Sequence, residues 1–116
     1  MRGPRGLMTS AIALSIALTA VALAAQPISI VASNWKFTPD QITLKVGEAQ
    51  VLRLTSSEGV HGLQSADLGI KQTTIVPGSS TDITVIPKKA GTYVLHCSIE
   101  CGAGHPNMTL TVNVVP

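Results

Sequence analysis

After residue 26 the chain is punctuated. Short runs rich in Ile, Val, Leu and Thr are separated, about every 8 to 12 residues, by Gly, Pro, Asp and Ser. Segments this short and this rich in β-branched residues have room for strands but not for helices. The runs expected as strands are Ile28–Ala32, Gln41–Val46, Ala49–Ser56, Gly62–Ser65, Lys71–Val76, Thr81–Ile86, Thr92–Cys97 and Met108–Val115. Several alternate, which assigns faces: Ile42, Leu44 and Val46 fall together, as do Leu52 with Leu54, and Met108 with Leu110, Val112 and Val114. Val46-Gly47-Glu48, Val76-Pro77-Gly78-Ser79 and Lys88-Lys89-Ala90-Gly91 are turn sequences. The fold expected is all-β, an antiparallel Greek-key β-sandwich.

The first 25 residues follow a different rule. Met1-Arg2-Gly3-Pro4-Arg5 is basic, Ala11 to Ala25 is an almost unbroken apolar run, and Ala22-Leu23-Ala24 has a small-x-small pattern ahead of Gln26-Pro27. That order describes a secretory signal peptide. The 19 residues from Leu7 to Ala25 also just reach the length of a single membrane anchor. Residues 1–25 are therefore read as a signal peptide or N-terminal anchor, and residues 26–116 as one exported domain on the periplasmic side. A length of 91 residues from Gln26 onward suits one small domain. Both Arg2 and Arg5 belong to the leader, which leaves six Lys and Arg against six Asp and Glu. A neutral domain offers no basic face, so nucleic acid is not an expected partner.

Chemistry concentrates near the C-terminus. Cys97-Ser98-Ile99-Glu100-Cys101-Gly102-Ala103-Gly104-His105-Pro106-Asn107-Met108 gathers two thiols, an imidazole and a thioether. Soft and nitrogen donors of this kind suit copper better than magnesium, calcium or manganese. His61 supplies a second imidazole once the chain folds back. Two cysteines in an exported chain ordinarily suggest a disulfide; here it would close a very short loop and leave His105 and Met108 without a purpose. His96 alternates away from Cys97 and is read as a rim residue. No nucleophile, base and orienting group assemble into a hydrolytic set.

Asn34-Trp35-Lys36-Phe37-Thr38-Pro39, Val46-Gly47, Glu58-Gly59-Val60-His61-Gly62-Leu63, Val76-Pro77-Gly78 and Gly91-Thr92-Tyr93 fall in the order of a cupredoxin. The Cys97-to-Met108 loop resembles that of the CuA domain of cytochrome c oxidase subunit II. The resemblance implies a dinuclear copper centre. Cys97 and Cys101 would bridge two ions, His61 and His105 would bind one each, and Met108 and the backbone carbonyl of Ile99 would complete the set. It also implies electron transfer from a periplasmic donor such as cytochrome c towards a terminal oxidase, with oxidase subunit I as a possible neighbour. On that reading the chain alone catalyses nothing. Ile99 stands where the family usually carries Glu, and Glu100 comes one residue late. A carbonyl ligand tolerates that change, whereas a magnesium site shared with subunit I does not.

Two other readings use the same residues. Cys101, His105, Met108 and His61 satisfy a mononuclear blue-copper site, with one Cys, two His and an axial Met. A copper delivery or buffering protein would use the ligands without redox turnover, although Met108 is the only Met beyond the leader. The small and apolar residues Gly62, Leu63, Gly102, Ala103, Gly104 and Pro106 form an expected collar around the histidines, suited to a close-docking redox partner.

Overall fold

The computed structural model describes residues 25–116, together with residues 3, 6 and 12–15. Most of the leader assigned to residues 1–25 therefore lies outside the described residues. Among the described residues, no helix is long and apolar enough to cross a membrane.

The strands are β1 (Ile28–Ser33), β2 (Lys36–Thr38), β3 (Gln41–Lys45), β4 (Gln50–Ser56), β5 (His61–Ser65), β6 (Ile70–Ile75), β7 (Ser80–Val85), β8 (Gly91–His96) and β9 (Thr109–Val115), with one 3-10 turn at His105–Asn107. One sheet runs β2-β1-β4-β7, a second β3-β9-β8, and β5 pairs with β6. Their inner faces meet in a single buried cluster that includes Ile30, Leu52 and Leu54 from the first sheet and Leu95, Leu110 and Val112 from the second. Burial follows the alternation, with Leu110, Val112 and Val114 buried and the residues between them half-buried.

Three expectations change. The sandwich is not wholly antiparallel: β1 runs parallel to β4, and β3 parallel to β9. Period-two alternation reports which face a residue occupies, and both pairing directions preserve that face, so periodicity cannot read direction. Strand β2 was not expected; at three residues it is too short to show a period, yet it carries the buried Phe37. Val46 lies just past the end of β3, where its amide donates to the Val115 carbonyl, and its side chain is exposed rather than continuing the buried face of Ile42 and Leu44.

The site follows from β8 and β9. They form an antiparallel pair from Gly91↔Val114 to His96↔Thr109, and the connection between them is the segment Cys97 to Met108. The ladder continues one step into that segment, where the Cys97 amide donates to the Met108 carbonyl at 3.0 Å. Cys97 and Met108, 3% and 0% exposed, belong to the core cluster. Val94 and His96 point outward and are exposed, as the alternation predicts.

Candidate metal centre

Two segments distant in sequence bring the donor atoms together. Cys97 directly follows β8, Cys101 lies in the loop, and His61 opens β5, which packs beside β8. One ligand atom each from His61, Cys97 and Cys101 lies within 4.8 Å of the other two. In this structure the cysteines are two free thiols, not joined as a disulfide. His105 Nδ1 approaches Cys101 Sγ at 3.4 Å, and Met108 Sδ lies 3.8 Å from the same sulfur. On the other side, the Cys97 thiol donates to the Ile99 carbonyl at 3.3 Å, and His61 Nδ1 is 3.9 Å from Cys97 Sγ. His61, Ile99, His105 and Met108 thus surround the sulfurs of Cys97 and Cys101, and the candidate ligands of the sequence lie together.

Local structure explains the placements. The loop folds back through amides donated by His105 to Gly102, Asn107 to Gly104 and Met108 to His105, and Pro106 sits in the first turn of the 3-10 segment, where it needs no amide partner. Buried His61 has Nε2 at 2.8 Å from the Glu58 carbonyl. A carbonyl only accepts, so Nε2 carries the proton and the Nδ1 lone pair faces the sulfurs. Gly62 is needed for space: a Cβ there would stand 2.5 Å from Ser98 Oγ and 3.2 Å from the Ile99 side chain. The Ser98 amide donates to the Gly62 carbonyl, tying the cysteine loop to β5.

Burial and the neighbouring Cys97 push the Cys101 thiol up to about 12, with the negative Glu100 adding to the rise. Without a cation, this pocket resists ionisation of that thiol. The Glu100 carboxylate is turned to its own loop, where Oε1 accepts from the Gly102 amide at 3.1 Å. No carboxylate joins the His61, Cys97 and Cys101 group among the described residues, so a hard, oxygen-seeking cation finds little here. Copper fits this donor set.

The collar differs from expectation. Gly62 and Leu63 are buried, Leu63 completely, while Gly102, Ala103 and Pro106 are exposed. Leu63 faces the core because β5 is covered by its neighbours. The exposed apolar group that alternation did not find is Trp35, 41% exposed. Its indole N–H donates to the Cys101 carbonyl at 2.8 Å, and its ring packs so closely on Gly104 that a Cβ there would come within 2.5 Å of it. Trp35 stood in a segment already notable in the sequence, but nothing in the spacing shows that a residue 66 positions upstream lies on the ligand loop.

A β-sandwich with a Cys, His and Met loop between its last two strands defines a cupredoxin. The sequence profile of the cupredoxin-like domain matches residues 6–112, and the chain belongs to that family. Within it, the chain is similar to cytochrome c oxidase subunit 2. Two such sequences from Thermus thermophilus are each 28% identical over 85 residues, 73% of this chain. The chain spans 62% of the length of one and 50% of the other. The periplasmic domain of subunit II of cytochrome oxidase (CoxB) of Bradyrhizobium japonicum superposes with a TM-score of 0.70 at 17% identity, over 79% of this chain and 85% of that one. A chain of a heme-copper terminal oxidase dimer gives 0.69 at 23% identity, over 82% and 68%. These two likenesses support the fold.

Proposed function

We propose that this domain is a copper-binding electron carrier with a dinuclear CuA-type centre, working as or like oxidase subunit II on the periplasmic side of a membrane. The observation that carries the reading is the convergence of two thiols, two imidazole Nδ1 atoms, a thioether and a carbonyl on one half-buried spot. Cys97 and Cys101 would hold two copper ions between them, with His61 and His105 at the flanks and Met108 and the Ile99 carbonyl as weaker donors. Copper bound there supplies a one-electron couple. The chain does the rest. His61 is held in one tautomer by the Glu58 carbonyl, and Cys97 and Met108 are fixed by the core, so little rearranges between oxidation states. Exposed Ala103, Pro106 and Trp35 let a partner protein approach closely, while burial of His61 and Cys97 keeps water away from the inner side. Cytochrome c is the proposed donor and a terminal oxidase the proposed acceptor.

The dinuclear reading turns on Cys97, the thiolate that a mononuclear site does not need. Copper-loaded protein is expected to hold two coppers per chain, with an EPR signal shared over both. Cys97→Ser should reduce this to one copper and a localised signal. A parent protein holding one copper, unchanged by Cys97→Ser, would establish the mononuclear alternative instead.

A further inference from the structure

His61 and the cysteine loop are tied together on one side by the Ser98 amide and the Gly62 carbonyl. On the other side the structure shows a circuit of hydrogen bonds that passes through neither sheet ladder. Glu58 lies in the bend between β4 and β5. Its carbonyl accepts from His61 Nε2 at 2.8 Å and from Ser56 Oγ at 3.0 Å. Its carboxylate reaches 24 positions back, where Oε1 accepts from the Asn34 amide at 2.9 Å. The next residue is Trp35, whose indole donates to the Cys101 carbonyl. Gly59 closes the space between: at φ +75°, a Cβ would stand 2.7 Å from Asn34 Oδ1 and 3.1 Å from His61 Nε2.

We propose that Glu58 is a positioning residue of the metal centre: its carboxylate fixes the turn carrying Trp35, Trp35 fixes the ligand loop at Cys101, and the Glu58 carbonyl fixes His61 in the same frame. The inference rests on the reading of His61 and Cys101 as ligands. Each bond alone is modest, and an exposed carboxylate is screened by water. The circuit matters because it joins the two ligand segments at a second place, so that they turn together rather than hinge about the Ser98–Gly62 bond. Without it His61 keeps its tautomer, because the carbonyl is backbone and survives side-chain replacement, while the loop loses its outer support.

The test has one arm without metal and one with it. In the copper-free full chain, amide and indole hydrogen exchange by NMR should quicken about tenfold in Glu58→Ala at Asn34, at the Trp35 indole and at the His105 amide. Glu58→Gln keeps an acceptor oxygen and should stay within about threefold of the parent at all three. In the copper-loaded protein, Glu58→Ala and Trp35→Phe, which keeps the ring but not its N–H, should shift the reduction potential in the same direction. The double variant should shift it no further than the larger single, with Glu58→Gln restoring the parent value. Unchanged exchange at the indole and His105 in Glu58→Ala, or additive shifts in the double variant, would overturn the proposal. Should Glu58→Ala not fold, Glu58→Asp, one methylene shorter, carries the same comparison. If the chain binds no copper, the proposed function fails while the exchange arm still decides whether the circuit operates.

Discussion

Strand β8 begins and ends in two different kinds of place. At its Gly91 end the chain turns through Lys88 and Lys89, where the Tyr93 hydroxyl donates to the Lys89 carbonyl at 2.7 Å and the Gly47 amide to the Pro87 carbonyl at 2.8 Å. The turn residues 88–91 are exposed. At its other end, about 20 Å away for six residues of strand, lie buried Cys97 and a loop braced by side chains from far upstream. The far end is made of exposed turns joined mainly through backbone hydrogen bonds. The metal end is made of three segments, around residues 34, 58–63 and 97–108, that are close only after folding. One end therefore depends on backbone conformation, and the other on space and on particular partners.

The largest break in this comparison is expected at Leu63. The residue is 0% exposed, and a carboxylate there has no partner. Leu63→Glu should cost more than about 4 kcal/mol and abolish the cooperative thermal transition seen by circular dichroism. Exposed Ala103 lies on the same end of the molecule. Ala103→Glu should leave stability within about 0.5 kcal/mol of the parent while slowing electron exchange with the proposed cytochrome donor. A well-folded Leu63→Glu chain would show that the metal end is not continuous with the core.

A smaller contrast comes from the same substitution at the two ends. Gly104 has φ −87°, a conformation open to any residue, but a Cβ would meet the Trp35 ring and its Cβ at 2.5–2.6 Å. Gly47 has φ +77°, and a methyl added there would meet nothing within 4 Å. Gly104→Ala should cost about 2 kcal/mol through overpacking, and it should shift the fluorescence of the chain's single Trp. Gly47→Ala should cost about 1 kcal/mol through backbone strain and leave that emission unchanged, because the strain is local to the other end. Equal fluorescence responses would mean that the two ends communicate, and the contrast between them would fall.

The face of each strand was legible because alternation is a local signal. Leu52 with Leu54, the β9 series, and the opposed directions of Leu95 and His96 all follow from period two. Five residues of the candidate centre, His61, Cys97, Cys101, His105 and Met108, were legible for a different reason: their donor chemistry is carried by residue type, and four of them fall within twelve residues; the Ile99 carbonyl came only from the family resemblance. Strand direction was not legible, since parallel and antiparallel neighbours impose the same alternation. Nor were Trp35, Asn34 and Glu58. Their roles depend on contacts 24 and 66 positions apart, and Glu58 acts partly through a backbone carbonyl that any residue possesses. Leu63 reads as surface in the sequence because its position beside His61 suggests the rim, whereas β5 is enclosed from its first residue.

The smallest effect is expected at a pair that belongs to neither end. Arg53 and Asp82 are directly opposite on β4 and β7, with the guanidinium Nε 3.0 Å from the carboxylate. The hydrogen bond from Arg53 holds the Asp82 carboxyl below its ordinary value; desolvation opposes this, and the opposite charge of Arg53 adds to it. A carboxyl lowered in the folded state stabilises the fold above its unfolded pKa, and that contribution disappears as pH falls through the folded value. Asp82→Asn should therefore melt slightly below the parent at neutral pH, and the two should converge as acid protonates Asp82 in the folded parent, below the ordinary carboxylate range. Both side chains are nearly half exposed, so added salt should also shrink the difference. If the deficit persisted in acid, or exceeded that of Gly47→Ala, the pair would be contributing through packing rather than charge. The middle of the sheet would then have to be treated as a third region with constraints of its own.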